Sequence, residues 1–317
     1  MAFFNEGVVT EMRVMVLASG DLWAGAEVLV YQLACGLVEI EKIDFCVVLL
    51  NQGRLAEELQ NLGITVHIVE ESTHSFFALV RAIRTIVTGF SPDVIHSHRY
   101  KENLLAWLVA FGRQHIKLVA TQHGMPEMQE GGQRAYRSLR TTLFFRLLSC
   151  CFNRTVLVSA EMQRALVGSY GFSAKDVIVI HNGVGTPKDV IRCSKGCVVV
   201  GSAGRLFPVK DFSLLVDIAY HVILQSDVIY FILAGDGPER TLLEEKVREY
   251  GLQDRFTFSG HVDEMDGFYR SLDIYINTSV HEGMPMSVLE AMSHGLPAVV
   301  PKVGGLPEIV KEDVSGF

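Results

Sequence analysis

Short apolar runs of strand length alternate, over almost the whole chain, with longer stretches in which apolar residues return every three to four positions. Near-continuous apolar strands separated by helical periodicity are the pattern of parallel sheets covered by helices on both faces. Strands are predicted at 13–18, 45–50, 65–69, 94–96, 117–121, 155–158 and 177–180, with helical segments between them. The turn His181-Asn182-Gly183-Val184-Gly185-Thr186-Pro187 then leads into a polar stretch with Lys188, Asp189, Arg192, Ser194 and Lys195, which reads as a linker. A second series of strands follows at 197–203, 229–234, 256–258, 274–277 and 298–300. The expected fold is therefore α/β, with two doubly wound units facing across a cleft: a domain at 1–186, a linker at 187–196 and a domain at 197–317. The second domain reads as incomplete, because no terminal helix follows the turn Ser315-Gly316-Phe317.

Composition narrows the function classes. A length of 317 residues suits two cores better than one, and the 49% hydrophobic content can fill both. A formal charge of −8 argues against a nucleic-acid partner, which would need a basic face. No apolar run reaches the roughly 18 residues that span a bilayer. The first twenty residues carry Glu6 and Glu11 and lack the form of a secretory signal, so a cytoplasmic location is expected. Cysteines at 35, 46, 150, 151, 193 and 197 have neither zinc nor disulfide spacing and are expected to be reduced. The two glycosylation sequons at Asn153 and Asn277 read as chance matches in that setting.

Candidate chemistry gathers after strands, where open parallel sheets bind their ligands. In the stretch His281-Glu282-Gly283-Met284-Pro285-Met286-Ser287-Val288-Leu289-Glu290, two carboxylates flank a helix start near Pro285. The free N–H groups there suit a phosphate, and the carboxylates suit ribose and hexose hydroxyls. Gly204-Arg205-Leu206-Phe207-Pro208-Val209-Lys210 supplies a guanidinium and an ammonium for a diphosphate, unless it is a solvated basic loop. Gly235-Asp236-Gly237-Pro238 allows close backbone approach, but the rest of a dinucleotide fingerprint is missing, and no P-loop occurs. In the first half His96 and His98 share a strand face if the strand continues through both; His98 is a hydrogen-bonding residue or a satisfied core histidine, and no third metal ligand follows by spacing. Arg99, Tyr100 and Lys101 begin a helix and either meet an acceptor or form its solvated first turn. Trp23, in the loop before Gly25, lies over a sugar face or caps the core. The segment 134–152, with Arg134, Arg137, Arg140 and Arg146 among leucines and phenylalanines, either docks on an anionic membrane or packs on its own sheet.

The motifs AGAEVLVYQLA, PDVIHSH, VSAEM, VIHNGV, GRLFPVKDFSLLV, FILAGDGPE, FTFSGHVDEM, HEGMPMSVLEAM and GGLPEIV, in this order, resemble the retaining glycosyltransferases of family 4. The resemblance implies the GT-B fold of two Rossmann-like domains. It implies transfer of a hexose-type sugar from a nucleoside diphosphate sugar, a UDP-sugar favoured, to a hydroxyl of a sugar or lipid-linked acceptor in polysaccharide or glycolipid biosynthesis. By the same resemblance Glu290 contacts the ribose, Glu282 lies near the donor sugar, Arg205 and Lys210 hold the diphosphate, and His98 stands beside the donor hexose. Gly25 and Gly204 belong to loops closing on the phosphates, backbone near Val262 meets the base, and Met284, Pro285, Met286 and Ser287 offer N–H groups or shape around sugar and phosphate. Trp23, Arg99, Tyr100, Lys101 and His123 are the acceptor candidates. No cofactor or metal is implied, and peripheral contact with the inner face of a membrane is compatible with such acceptors. Two departures stand out: Val184-Gly185-Thr186 lacks an acidic residue often found there, and similar proteins continue past Phe317 with a closing strand and helices. A sugar-nucleotide epimerase on the same fold and a non-catalytic nucleotide-sugar-binding protein are the alternatives.

Overall fold

A computed structural model describes residues 11–21, 23–124, 134–187 and 196–317, with the side chains of 134–140 excepted. Leu22, Cys193 and the linker residues Lys188, Asp189, Arg192, Ser194 and Lys195 lie outside the described residues. The chain divides into two compact units, 1–181 and 182–317. The expected boundary at 186 thus moves back to the bond between His181 and Asn182. The Asn182 side chain explains the shift, since its Nδ2 donates to the Met284 carbonyl at 2.9 Å and so ties the turn to the second unit.

The first unit is a seven-stranded parallel sheet: β1 (Met12–Ala18), β2 (Ile43–Leu49), β3 (Thr65–Ile68), β4 (Val94–His98), β5 (Lys117–Gln122), β6 (Arg154–Leu157) and β7 (Val177–Val179), in the order 3-2-1-4-5-6-7. Helices α1 (Gly25–Val38), α2 (Arg54–Asn61), α3 (Phe76–Phe90), α4 (Tyr100–Ala110), α5 (Arg134–Cys151) and α6 (Ala160–Ser169) connect the strands. Ser75 and Ser159 cap α3 and α6 by accepting from the N–H groups of Ala78 and Met162. On one side of the sheet Val16, Val47 and Leu49 meet Val30, Ala34, Leu55 and Leu59 from α1 and α2. Each valine and leucine among them, fully buried, contributes roughly 1.5–3 kcal/mol. Helix α5 buries Phe144, Phe145 and Leu148, so its apolar face serves its own unit, while Leu143 remains exposed.

The second unit is a five-stranded parallel sheet: β8 (Val198–Ala203), β9 (Ile229–Ala234), β10 (Phe256–Gly260), β11 (Ile274–Ile276) and β12 (Ala298–Val299), in the order 10-9-8-11-12. Helices α7 (Phe212–Ile223), α8 (Arg240–Glu249), α9 (Met265–Ser271), α10 (Met286–Ser293) and α11 (Leu306–Ile309) cover it. Two apolar clusters form on it, one around Phe212, Val216, Leu233 and Phe256, the other around Tyr269, Tyr275, Val288 and Ala298.

Both sheets start at a central strand, run outward one way, then reverse. That reversal lies between β1 and β4 in the first unit and between β8 and β11 in the second. Loops leaving neighbouring strands there run in opposite directions and leave a crevice at the carboxyl edge.

Gly235 shows how tightly that edge is built. Its φ is +129°, and a Cβ added there would lie 1.9 Å from the Gly204 carbonyl oxygen. Gly235→Ala is therefore expected to lower stability by about 2–4 kcal/mol, read as a drop in urea midpoint at constant m value. Gly63, also left-handed at φ +76° but with nothing within 4 Å, supplies the control. Its alanine variant should lose only about 1–2 kcal/mol.

Candidate active site

In the second unit the loop after β8 and the loop after β11 are laced together. The Pro208–Lys210 turn presents the Lys210 carbonyl to Thr278 Oγ1 at 2.9 Å and the Val209 carbonyl to the Val280 N–H at 3.0 Å. Those bonds fix the stem of Lys210, whose Nζ lies 2.5 Å from Glu282 Oε1. The same oxygen also accepts from Ser279 Oγ at 2.6 Å and from Asn277 Nδ2 at 3.4 Å. Glu282 is 9% exposed. Its charge is neutralised by the ammonium, and three donors converge on one oxygen. The backbone is held too: Gly305 N–H donates to the Gly283 carbonyl at 2.9 Å, and a Cβ on Gly304 would collide with the Glu282 carbonyl at 1.8 Å.

Pro285 is the N-cap of α10, as its place in the sequence predicted, and makes no side-chain capping hydrogen bond. Met284, Pro285 and Met286 are buried and Ser287 half-buried. Glu290 sits on the second turn of this helix, where Tyr269 Oη donates to its Oε2 at 2.7 Å. Burial raises the Glu290 pKa above the usual carboxylate range, and the Tyr269 hydrogen bond and His294 oppose that rise. His294 is oriented by its Nδ1, 2.8 Å from the Glu290 carbonyl, and by Asp266, 3.4 Å from its Nε2.

Gly204 directly follows β8, and its N–H donates to the Ala234 carbonyl. Arg205 is exposed, with its guanidinium 5.1 Å from the centre of the Phe207 ring. The Gly235-Asp236-Gly237-Pro238 segment does make a close backbone approach, but to this neighbouring loop. Leu206 N–H donates to the Asp236 carbonyl at 3.0 Å and Glu239 N–H to the Leu206 carbonyl at 3.1 Å. The Val262 side chain packs on the second apolar cluster, leaving its loop to follow β10.

In the first unit, β4 continues through His98, so His96 and His98 do share a face, with ring centroids 4.5 Å apart. Sequence spacing offered no third imidazole, yet β5 pairs with β4 and brings His123 against His98, Nδ1 to Nε2 at 3.1 Å. Burial pushes the His96 and His123 rings down to about 4, and His98 well below the usual range. Among the described residues no three His, Cys, Asp or Glu side chains form a metal-binding group. Arg99 has φ +68° and caps α4, and its guanidinium pairs with buried Glu27 at 2.7 Å and with Asp21 at 3.6 Å. Lys101 pairs with Glu71, Tyr100 stacks on Phe144 at 4.1 Å, and Trp23 packs edge-on to Tyr31 with Arg54 over its face at 4.6 Å. These four acceptor candidates are thus engaged within the protein, and His123 is the candidate that adjoins His98. Gly25 is the first residue of α1, two residues before Glu27.

Several partners escaped the sequence reading. Asn277, Ser279, Tyr269, Glu27 and Asn182 were given no role at the site, and only the tertiary contacts identify what they hold. Glu102 is another: it sits on the first turn of α4, 3% exposed, with Oε2 lacking a hydrogen-bond partner among the described residues. Burial pushes its carboxyl up to about 7.

The family described as Glycosyltransferase Family 4 matches residues 23–187, and that described as Glycosyl transferases group 1 matches residues 197–317. The chain belongs to glycosyltransferase family 4. It is 25% identical over 306 residues to the phosphatidylinositol N-acetylglucosaminyltransferase gpi3 subunit of Schizosaccharomyces pombe, covering 92% of this chain and 66% of that one. To the UDP-Gal:alpha-D-GlcNAc-diphosphoundecaprenol alpha-1,3-galactosyltransferase of Escherichia coli it is 23% identical, covering 78% of this chain and 71% of the other. The fold is that of Anabaena HepE, solved in complex with UDP-glucose, at a TM-score of 0.80 and 22% identity over 96% of this chain and 85% of that one. The two α/β units are therefore those of the GT-B fold. The chain spans about half to two thirds of the length of its phosphatidylinositol N-acetylglucosaminyltransferase relatives, 66% in Schizosaccharomyces pombe, 56% in Arabidopsis thaliana and 52% in Homo sapiens.

Glu102 gives this family member a measurable pH signature. Its folded-state pKa of about 7 exceeds the ordinary glutamate value of 4.5, so the stability from the protonated form is complete below about 4.5 and lost as pH rises through 7. Glu102→Gln keeps the neutral shape. In urea titrations it should match the parent near pH 4.5 and exceed it above pH 7 by up to about 3 kcal/mol.

Proposed function

We propose that this chain is a retaining glycosyltransferase that moves a hexose-type sugar from a nucleoside diphosphate sugar, a UDP-sugar favoured, to an acceptor hydroxyl in polysaccharide or glycolipid biosynthesis. The observation that carries it is the Lys210–Glu282 pair at the reversal point of the second sheet, one loop away from the start of α10, with Glu290 on the same helix. Exposed Arg205 and the half-buried ammonium of Lys210 supply positive charge for a leaving diphosphate, whose negative charge grows as the glycosidic bond breaks. Free N–H groups at the first turn of α10 and the positive end of its dipole add to that field. Glu290, steadied by Tyr269, accepts from ribose hydroxyls.

Glu282 suits the role of orienting the donor sugar rather than attacking it. A carboxylate oxygen that already accepts from an ammonium, a hydroxyl and an amide is a weak nucleophile. A front-face path, in which the leaving phosphate takes the proton of the acceptor hydroxyl, needs no enzymatic nucleophile, and the protein's work becomes placement and charge stabilisation. The relatives lend support: HepE was solved with UDP-glucose, and the Escherichia coli enzyme is named for UDP-Gal and a diphosphoundecaprenol acceptor. A lipid-linked acceptor would bring the protein to a membrane surface, since no helix among the described residues is long and apolar enough to cross one.

The donor reading is tested by titrating UDP-glucose and measuring transfer with the same preparations. Glu290→Ala should weaken donor binding by about tenfold, the loss of roughly one to two hydrogen bonds to ribose, whereas Glu282→Ala should bind donor but transfer at least about a hundredfold more slowly. Unchanged binding and transfer in both variants would remove the assignment. Tyr269→Phe deletes a hydrogen bond that holds down the Glu290 pKa, so Glu290 should take up its proton at higher pH. The acid limb of UDP-glucose binding then moves upward in pH, visible by calorimetry across the range from pH 5 to 8.

A further inference from the structure

The two histidines that meet at the carboxyl edge of β4 and β5 carry a constraint on each other's protons. His98 pairs in register with Thr121, which puts His123 two residues further along the same face of the sheet. Their rings stack with centroids 5.3 Å apart and planes 21° from parallel. His98 Nδ1 lies 3.1 Å from His123 Nε2. The other nitrogen of His98, Nε2, is buried and has no partner among the described residues. Behind His98 stands His96, fixed in turn by Thr121 Oγ1 at 2.8 Å from its Nε2, so the His98 ring is clamped on both sides.

Burial, with Arg99 and the neighbouring imidazoles adding repulsion, keeps both rings neutral. A neutral imidazole has one N–H and one lone pair, so one of the two facing nitrogens donates and the other accepts. If His123 donated, the His98 proton would sit on Nε2, a buried N–H with nothing among the described residues to accept it. If His98 donates from Nδ1, Nε2 carries a lone pair with no donor among the described residues, and the proton of His123 lies on its Nδ1, on a half-buried ring. An orphaned buried N–H is the rarer and costlier of these faults.

We propose that His123 is a positioning residue that holds His98 in the Nδ1–H tautomer, so that His98 Nε2 presents a buried lone pair to a hydroxyl group of the substrate. Only the identity of that hydroxyl, as one on a sugar, rests on the glycosyl-transfer reading. His98 takes no proton in this role. It accepts a hydrogen bond from a neutral O–H and orients it.

Long-range proton–nitrogen spectra of the full chain labelled with 15N-histidine, at about pH 7, read the tautomer directly. In the parent protein His98 should show a pyrrole-type Nδ1 and a pyridine-type Nε2. His123→Gln keeps an acceptor and should leave that pattern in place, whereas His123→Leu should give mixed tautomers. With UDP-glucose as the donor, kcat/KM should fall about tenfold in His123→Leu and recover to within about threefold in His123→Gln. A proton on Nε2 of His98 in the parent spectrum overturns the proposal, as does an unchanged tautomer in His123→Leu, and the parent spectrum decides even where the leucine variant fails to fold. Failure of the glycosyl-transfer reading looks different: the expected tautomer with no turnover of UDP-glucose in any form.

Discussion

The ion pair between Lys210 and Glu282 is the constraint around which the second unit is arranged. A buried carboxylate is costly unless a cation and hydrogen-bond donors meet it, and removing one partner of a buried pair typically costs about 3–5 kcal/mol. The fold supplies those partners from two loops. Thr278 and Val280 fasten the Lys210 turn to the chain that leaves β11, and Asn277 and Ser279 from that same chain complete the coordination of Glu282. Gly304 then allows another segment to press against the Glu282 backbone. The direction of the carboxylate and the place of the ammonium are consequences of one local balance of charge.

The first unit handles polarity in the opposite way. Its three stacked imidazoles are kept neutral by burial, and Glu102 is driven toward its protonated form by the same cause. The cations beside them, Arg99 and Lys101, are matched with Glu27 and Glu71. Neutral donors and acceptors of this kind recognise hydroxyl groups, which carry no charge to pay for desolvation. The second unit instead presents Arg205 to solvent and holds an ammonium half-buried, a setting for anions. The two units therefore differ in chemistry although their sheets share the same winding order.

Much of the architecture was legible in the pattern of apolar positions. The strand at 229–234 was predicted to the residue, and others differ by one or two residues at their ends, because a buried parallel strand must be apolar along its whole length. β4 was read too short, since Ser97 and His98 are polar; they remain in the strand because parallel pairing with β5 continues through His98 and Thr121. The helix start at Pro285 was equally visible, as proline's locked φ suits a helix entrance. The domain boundary was set at 186 because the polar stretch from Lys188 reads as a linker, whereas the two compact units divide at Asn182, whose side chain donates to the Met284 carbonyl in the second unit.

Sequence alone determined the residue types that could do chemistry and the strand ends that would carry them, because spacing along the chain controls which side chains share a strand face or a helix turn. It also carried the family, through motifs that follow one another in order. Only the tertiary structure decided which of those residues are free and which are spent. Trp23, Arg99, Tyr100 and Lys101 are occupied by internal partners, Glu282 is held by donors from two loops, and His98 meets a histidine 25 positions away. The reason is physical: burial and pairing depend on neighbours across a sheet, and those neighbours are set by strand order, which no local spacing encodes.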